Sequence, residues 1–327
     1  MKPAAMPHFT VIRDDTPAIA IVKGAVVALG NFDGVHLGHR VVIKAAQDMA
    51  ARRGMPAMAV TFEPHPRSFF NPNIAQFRLT DARARLRLLA GAGLSGAVVM
   101  TFDAARAGTA AEDFVARDLV GRLGVTGVVA GYDFHFGKGR RGSPDLLRAM
   151  GERLGFEVFI QPHVDLDGRA VSSTAIRNAL GQGELEEANT LLGYPWFVSG
   201  EVLHGDKRGR DLGYPTANLR LDPACGLRHG IYAVRVGLDG KRLGGVASFG
   251  RRPTFDNGAP LLEIHLFDFA GDLYGKSLDV AFIAFLREEL KFDDIGALVR
   301  QMDDDSARAR ARLAAEPTAF PVLGRID

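Results

Sequence analysis

Short apolar runs separated by glycine, proline and polar turns fill the first half of the chain. Runs at 25–29, 57–62, 97–102, 125–130 and 156–160 predict strands. They are continuous rather than alternating, as expected of strands covered on both faces. Between them the apolar positions fall at helical spacing. A helix is predicted after His36, stopping at Gly54; another over 82–90, capped by Asp81. Thr109-Ala110-Ala111-Glu112 has the form of a capping box and predicts a helix to Leu123. Ser143-Pro144 opens the next, with proline at the tolerated first position. This alternation predicts an α/β domain with a Rossmann-like parallel sheet, whose ligands lie beyond the carboxyl ends of the strands.

The pattern then changes. A short acidic helix at 184–192 leads into Tyr194-Pro195, read as the joint between domains. Runs at 231–236 and 243–248 flank Asp239-Gly240, a strong hairpin signal. Runs at 262–267 and 277–282 predict a second hairpin around Gly271, and a helix runs from Asp293 toward Leu313. So many short strands close most simply as an antiparallel β-barrel with a C-terminal helix. The expected division is 1–188 for the parallel-sheet domain and 189–327 for the barrel.

Composition narrows the partners. The 327 residues suffice for two domains. Forty basic against 38 acidic residues leave a net charge of +2, so no broad cationic surface for nucleic acid or membrane is expected. Cys225 is the sole cysteine, which excludes an intrachain disulfide. The run 19–29 is broken by Lys23 and too short to span a bilayer, and Asp14-Asp15 precede it, unlike a signal peptide. The expectation is a cytoplasmic protein whose partners are small molecules.

The chemistry concentrates in Gly30-Asn31-Phe32-Asp33-Gly34-Val35-His36-Leu37-Gly38-His39-Arg40, between the first strand and its helix. Free N–H groups and the helix dipole make such a junction an anion site. His36 and His39, three apart, share a helix face, and Gly38 lets a nucleotide approach the backbone. A metal site is less well supported, because no third ligand stands at a supporting spacing. Thr61-Phe62-Glu63-Pro64-His65-Pro66 ends the second strand and Gly131-Tyr132-Asp133-Phe134-His135-Phe136-Gly137 the fourth, so polar clusters converge on one sheet edge. Val171-Ser172-Ser173-Thr174-Ala175-Ile176-Arg177 offers a second anion cradle of hydroxyls, N–H groups and a guanidinium.

Two matches mislead. The glycines of 137–142 fit GxGxxG, but Ser143-Pro144 starts the helix after them; the loop's basic residues suit phosphate binding or a solvated surface. Gly275-Lys276-Ser277 resembles the end of a P-loop, yet Ala270 holds the required glycine position. In the second half, Gly205-Asp206-Lys207-Arg208-Gly209-Arg210 is a basic loop fit to lie over phosphates. Thr216 and Asn218, two apart in Gly213-Tyr214-Pro215-Thr216-Ala217-Asn218, face one way if extended and offer oxygen ligands suited to Mg²⁺. The same residues also suit a turn. Glu263, within an apolar strand, either faces solvent or, if inward, is placed as a general base.

The first motif, with Ser-Ser-Thr-x-x-Arg downstream, resembles the adenylyltransferase module of prokaryotic bifunctional riboflavin kinase / FAD synthetases. Gly-Tyr-Pro-Thr-Ala-Asn, Gly230-Ile231-Tyr232, Arg252-Pro253-Thr254, Leu262-Glu263-Ile264-His265 and Phe285-Leu286-Arg287 resemble, in order, the riboflavin kinase module. His135 and Arg251 depart from the family pattern. The resemblance implies ATP as co-substrate, riboflavin and FMN as substrates, FAD as product, and Mg²⁺ held through Thr216 and Asn218. Glu263 would be the kinase base and Arg287 would lie near the flavin, while His36, His39 and Arg177 would stabilise phosphate charge during adenylyl transfer. Gly30, Asn31, Phe32, Asp33, Gly38, Asp133, Ser172, Ser173 and Thr174 would line that nucleotide site, and Gly205, Lys207 and Arg210 the kinase phosphates. The alternatives are an adenylyltransferase with a degenerate barrel and a flavin-binding sensor without turnover.

Overall fold

A computed structural model of the chain describes residues 9–14, 16, 23–204, 213–251 and 260–326. They form two compact units. One comprises Met1–Ala75, Asp81–Ser172 and Val322–Asp327; the other Gln76–Thr80 and Ser173–Pro321.

The first unit runs β1 (Thr10–Arg13), β2 (Val26–Leu29), α1 (Leu37–Arg53), β3 (Ala57–Glu63), α2 (Pro66–Phe70), α3 (Ala82–Gly91), β4 (Gly96–Thr101), α4 (Ala104–Ala107), α5 (Ala111–Asp113) with a π-helical continuation (Phe114–Arg122), β5 (Gly127–Gly131), α6 (Pro144–Leu154) and β6 (Glu157–Gln161). A two-stranded ribbon, β7 (Asp165–Leu166) and β8 (Arg169–Ala170), follows. The main sheet is ordered β1-β4-β3-β2-β5-β6, and every pairing is parallel. The five predicted strands are all present. β1, a short four-residue edge strand, was not expected. From β2 the chain winds outward to β3 and β4, then returns to add β5 on the other side of β2. Strand order therefore reverses between β2 and β5, and open α/β sheets bind ligands at such a switch point.

Capping follows local chemistry with one correction. Asp81 accepts the Ala84 N–H at 2.7 Å and Ser143 that of Leu146 at 3.2 Å, and Gly54 closes α1 at φ 64°. Thr109 does not cap: its hydroxyl donates to Ala105 O at 3.0 Å, and α5 starts after Ala110 without a side-chain cap. The helix opens one residue later than the box predicts, with Ala110 at the N-cap, so Thr109 stands outside the capping position.

The second unit contains α7 (Ser173–Gln182), α8 (Leu185–Leu192), β9 (Phe197–Glu201), β10 (Ala217–Arg220), β11 (Gly230–Leu238), β12 (Lys241–Arg251), β13 (Pro260–Leu266), β14 (Ser277–Arg287) and a C-terminal helix, Ile295–Ala315. The antiparallel order is β10-β13-β12-β11-β14-β9. A bridge between Leu203 and Asn218 brings the two edges together, so the sheet is a nearly closed barrel. Asp239 at φ 48° and Gly240 at φ 78° form the predicted β11–β12 turn.

The hairpin expected around Gly271 does not exist. β13 pairs with β12 and β10, while β14 pairs with β11 and β9. Two apolar strands close in sequence look like a hairpin, but the connection from 267 to 276 carries the chain past β12 to the far side of β11. The burial pattern BiBiBiB along β13 puts Leu262 and Ile264 on the core face and Glu263 and His265 on the other. The C-terminal helix packs on that other face: Arg235 Nη2 donates to Leu313 O at 3.0 Å, and a Cβ at Gly244 would lie 3.1 Å from Leu313.

Candidate active sites

In the first unit the loop after β2 is built on two non-glycine residues at positive φ, Phe32 (53°) and Val35 (37°), and on Gly34 (81°). Phe32 is 1% exposed. Its ring meets His39 edge-on at 5.3 Å, and a Cβ at Gly30 would come within 3.2 Å of it. The strain of this backbone is held by burial of the phenyl ring beneath the loop. Asn31 O accepts hydrogen bonds from Thr61 Oγ1 and Arg85 Nη1, each 3.2 Å, while Asn31 Oδ1 is buried with no partner among the described residues. Asp33 is buried.

His36 is the N-cap of α1, and its Nδ1 accepts the His39 N–H at 3.3 Å. The two imidazoles stack with centroids 3.6 Å apart and planes 18° from parallel. A Cβ at Gly38 would crowd the His36 ring at 3.2 Å, so glycine is what allows this stack. Desolvation lowers the His39 pKa from 6.5 to about 3, and His39 Nδ1 has no hydrogen-bond partner among the described residues. His39 is therefore a neutral imidazole at physiological pH, a dipolar donor or acceptor and not a fixed cation. The first turn of α1 carries no acidic residue, which leaves its dipole unopposed toward an anion.

Arg85, on α3, escaped the sequence reading. It is 1% exposed and ties Asn31 O and Phe62 O (3.4 Å) to the Glu63 carboxylate (2.9 Å). It thus joins the loops that end β2 and β3. The available signal was a cation between Ala84 and Leu86 on the apolar face of α3. Asp133 is exposed beyond β5, beside β2 in the sheet, and its carbonyl oxygen lies 2.9 Å from His135 Nδ1. Lys138, Arg140 and Arg141 are exposed, and the loop is closed by Phe136–Gly142 pairing ahead of α6. The GxGxxG match thus lies outside the helix, as read. Ser172 ends the first unit, whereas Ser173, Thr174 and Arg177 lie on α7 in the second. There Arg177 Nε donates to Phe77 O at 2.6 Å.

In the second unit the strand register collects residues the sequence scatters over seventy positions. Asn218 on β10 is directly opposite Glu263 on β13, which is opposite Ser248 on β12, then Ile231 on β11, then Arg287 on β14. Directly paired residues of antiparallel strands point to one face, so Asn218, Glu263, Ser248, Ile231 and Arg287 form a row across the sheet. It lies on the face opposite Leu219, Phe249 and Leu262. Asn218 is 7% exposed and Glu263 half-buried, so Glu263 points neither into the core nor fully to solvent. Thr216, half-buried, precedes β10 on the Asn218 side. Among the described residues no group of three His, Cys, Asp or Glu side chains stands together as a metal site.

The guanidinium of Arg287 is held by Asp305 of the C-terminal helix, with Nε to Oδ1 at 2.8 Å and Nη2 to Oδ2 at 2.5 Å. Gln301 donates to the same carboxylate at 3.1 Å. Asp303, on the same helix, accepts from the Tyr214 hydroxyl. Neither aspartate was singled out from sequence, because a run of three looks like a solvated helix face. Gly230 begins β11 at φ 150°, where a Cβ would lie 2.4 Å from Arg287 O; only glycine permits that approach. Gly205, Lys207, Arg210 and Arg252-Pro253-Thr254 lie outside the described residues.

A switch-point loop opening a helix with two histidines, and a separate barrel face carrying a carboxylate beside an amide, define a two-module transferase acting on phosphate groups. Residues 18–175 match the FAD synthetase family model and residues 192–313 the riboflavin kinase model. The chain is 43% identical over 293 residues to the bifunctional riboflavin kinase/FMN adenylyltransferase of Pseudomonas fluorescens, covering 89% of this chain and 94% of that one. It is 40% identical to the Escherichia coli (strain K12) protein of the same name, over 88% and 92%. A solved structure called macrolide-efflux protein, from Streptococcus pneumoniae, superposes with a TM-score of 0.82 at 31% identity, covering 92% of this chain and 99% of that one. Among the described residues no helix is long and apolar enough to cross a membrane. The chain belongs to the bifunctional riboflavin kinase/FMN adenylyltransferase family.

Proposed function

We propose that the barrel transfers the γ-phosphate of ATP to the 5′-hydroxyl of riboflavin and that the parallel-sheet unit then joins FMN to the α-phosphate of a second ATP. The products are FMN and ADP in the first reaction, FAD and pyrophosphate in the second. Residues 1–188 are assigned to adenylyl transfer and 189–327 to the kinase, in the order of the two family matches. Lone Cys225 and the small-molecule substrates fit a cytoplasmic setting.

The observation that carries the kinase reading is the register of Asn218 beside Glu263. Glu263 takes the proton of the attacking hydroxyl. Thr216 and Asn218 supply the neutral oxygens that would hold Mg²⁺, a hard cation that would neutralise phosphate charge. Their chemistry fits a hard cation: hydroxyl and amide oxygens stand next to a carboxylate. Gly205, Lys207 and Arg210 lie over the phosphates, and Arg287 meets the flavin end of the substrate.

In the other module Gly30, Asn31, Phe32, Asp33 and Gly38 shape the nucleotide loop, with Asp133 and Ser172 as further contacts. His36 and His39 stabilise phosphate charge as pyrophosphate leaves. His39 does so as a neutral N–H donor, its depressed pKa being the support for that role. No protein nucleophile is required.

The test is product analysis on Glu263→Gln. Riboflavin with ATP and Mg²⁺ should give no FMN, while FMN with ATP should still give FAD. Loss of both activities in a folded variant would overturn the two-site assignment.

A further inference from the structure

The row Asn218–Glu263–Ser248–Ile231–Arg287 has two ends with proposed roles and a middle with none. We infer that Ser248 is a specificity-determining residue of the kinase site, hydrogen-bonding a hydroxyl of the ribityl chain that links the reacting 5′-oxygen to the flavin ring. This rests on the kinase reading above.

The spacing of the row matches the length of the substrate. Neighbouring strands lie about 4.8 Å apart, so each step along the row is about that long. Glu263, at the reacting hydroxyl, is one step from Ser248 and three steps, roughly 14 Å, from Arg287. A five-carbon chain built of bonds of about 1.5 Å spans roughly 6 Å when extended. A substrate with its 5′-oxygen at Glu263 and its ring toward Arg287 therefore lays its internal hydroxyls over Ser248. The ring comes next, over Ile231, the one apolar member of the row. The order of chemistry along the protein (amide, carboxylate, hydroxyl, aliphatic, guanidinium) matches the order along the substrate: phosphate, reacting alcohol, polyol, aromatic body and polar ring edge.

Ser248 is also available. It is half-buried, and no hydrogen bond among the described residues engages its hydroxyl. Its flanking residues Ala247 and Phe249 point into the core, so β12 is anchored on the other face and presents Ser248 rigidly. Gly250, two positions on, is overlain by Glu289, since a Cβ there would lie 2.3 Å from Glu289 Oε1. The C-terminal helix reaches this face farther along β12, at Gly244. A serine between these covered positions reaches whatever lies on the row.

The test compares riboflavin with a flavin carrying a 5-hydroxypentyl chain at N10, which keeps the reacting hydroxyl and chain length but lacks the internal hydroxyls. With ATP and Mg²⁺, wild type should prefer riboflavin. Ser248→Ala should lower kcat/KM for riboflavin about tenfold, the loss of one hydrogen bond, and leave the hydroxypentyl substrate within about twofold. Ser248→Thr, which keeps the hydroxyl, should retain most of the preference. An equal fall for both substrates in Ser248→Ala, or no change for either, overturns the inference. If wild type phosphorylates neither substrate, the kinase reading itself fails, a result separate from either outcome. Thermal unfolding of each variant reports whether the barrel is intact.

Discussion

Asn218 and Glu263 stand directly opposite each other on β10 and β13, where the barrel closes through the Leu203–Asn218 bridge. An amide oxygen and a carboxylate side by side at a closing seam join structure to chemistry. The seam fixes Asn218 through its backbone and leaves its side chain on the row with Glu263.

Asn218→Ala is therefore expected to lower riboflavin phosphorylation roughly 100-fold, as for loss of one preorganised group at a charge-bearing site. FAD formation from supplied FMN should stay within about twofold. Parallel assays of the two half-reactions check this, and equal loss of both would contradict the separate location of the sites.

His39 has its pKa lowered to about 3 by desolvation, against 6.5 in the unfolded chain. The unfolded state thus takes up the proton first. The neutral ring's contribution to stability is full above about pH 6.5 and declines as pH falls from there toward 3. Wild type should lose more stability between pH 7.5 and pH 5 than His39→Gln does. Urea unfolding at the two pH values measures the difference, and an NMR titration of His39 should show no midpoint near 6.5.

Arg85→Met should destabilise the first unit by about 3 kcal/mol, because Glu63 and two carbonyls lose their buried donor. FAD formation should fall with it, since the Asn31 carbonyl keeps only the Thr61 hydroxyl of its two donors. Urea unfolding and an FMN-plus-ATP assay test both.

Asp305→Asn leaves the Arg287 guanidinium without its carboxylate and should cost about 3 kcal/mol. The double replacement Arg287→Met with Asp305→Leu should recover that stability, as apolar substitutes for buried pairs often do. It should not recover riboflavin phosphorylation, because the guanidinium is gone. Recovery of activity in the double variant would show that Arg287 serves only the fold.

Much of the first unit was legible because its signals are local. Five apolar runs, the Asp81 and Ser143 caps and the glycine stop at 54 depend on residues a few positions apart. The Thr109 cap failed because the helix opens one residue later, at Ala111, a shift that a spacing rule does not resolve. The sequence marked the histidine motif as the loop that opens α1, but not the His36–His39 stack or the loss of the His39 charge, which follow from how tightly Phe32 and Gly38 close the loop. Arg85 stayed hidden because its partners are distant in sequence.

By itself the sequence determined most of the strands and longer helices and the order of the two modules, since periodicity and turn chemistry act over a few bonds. Only the tertiary structure decided which strands are neighbours. The separation of β13 from β14 by β12 and β11 undid an expected hairpin and set Asn218, Glu263, Ser248, Ile231 and Arg287 in one row. The physical reason is that strand pairing is chosen by burial of whole faces and closure of the barrel, terms that belong to the assembled sheet and to no single segment.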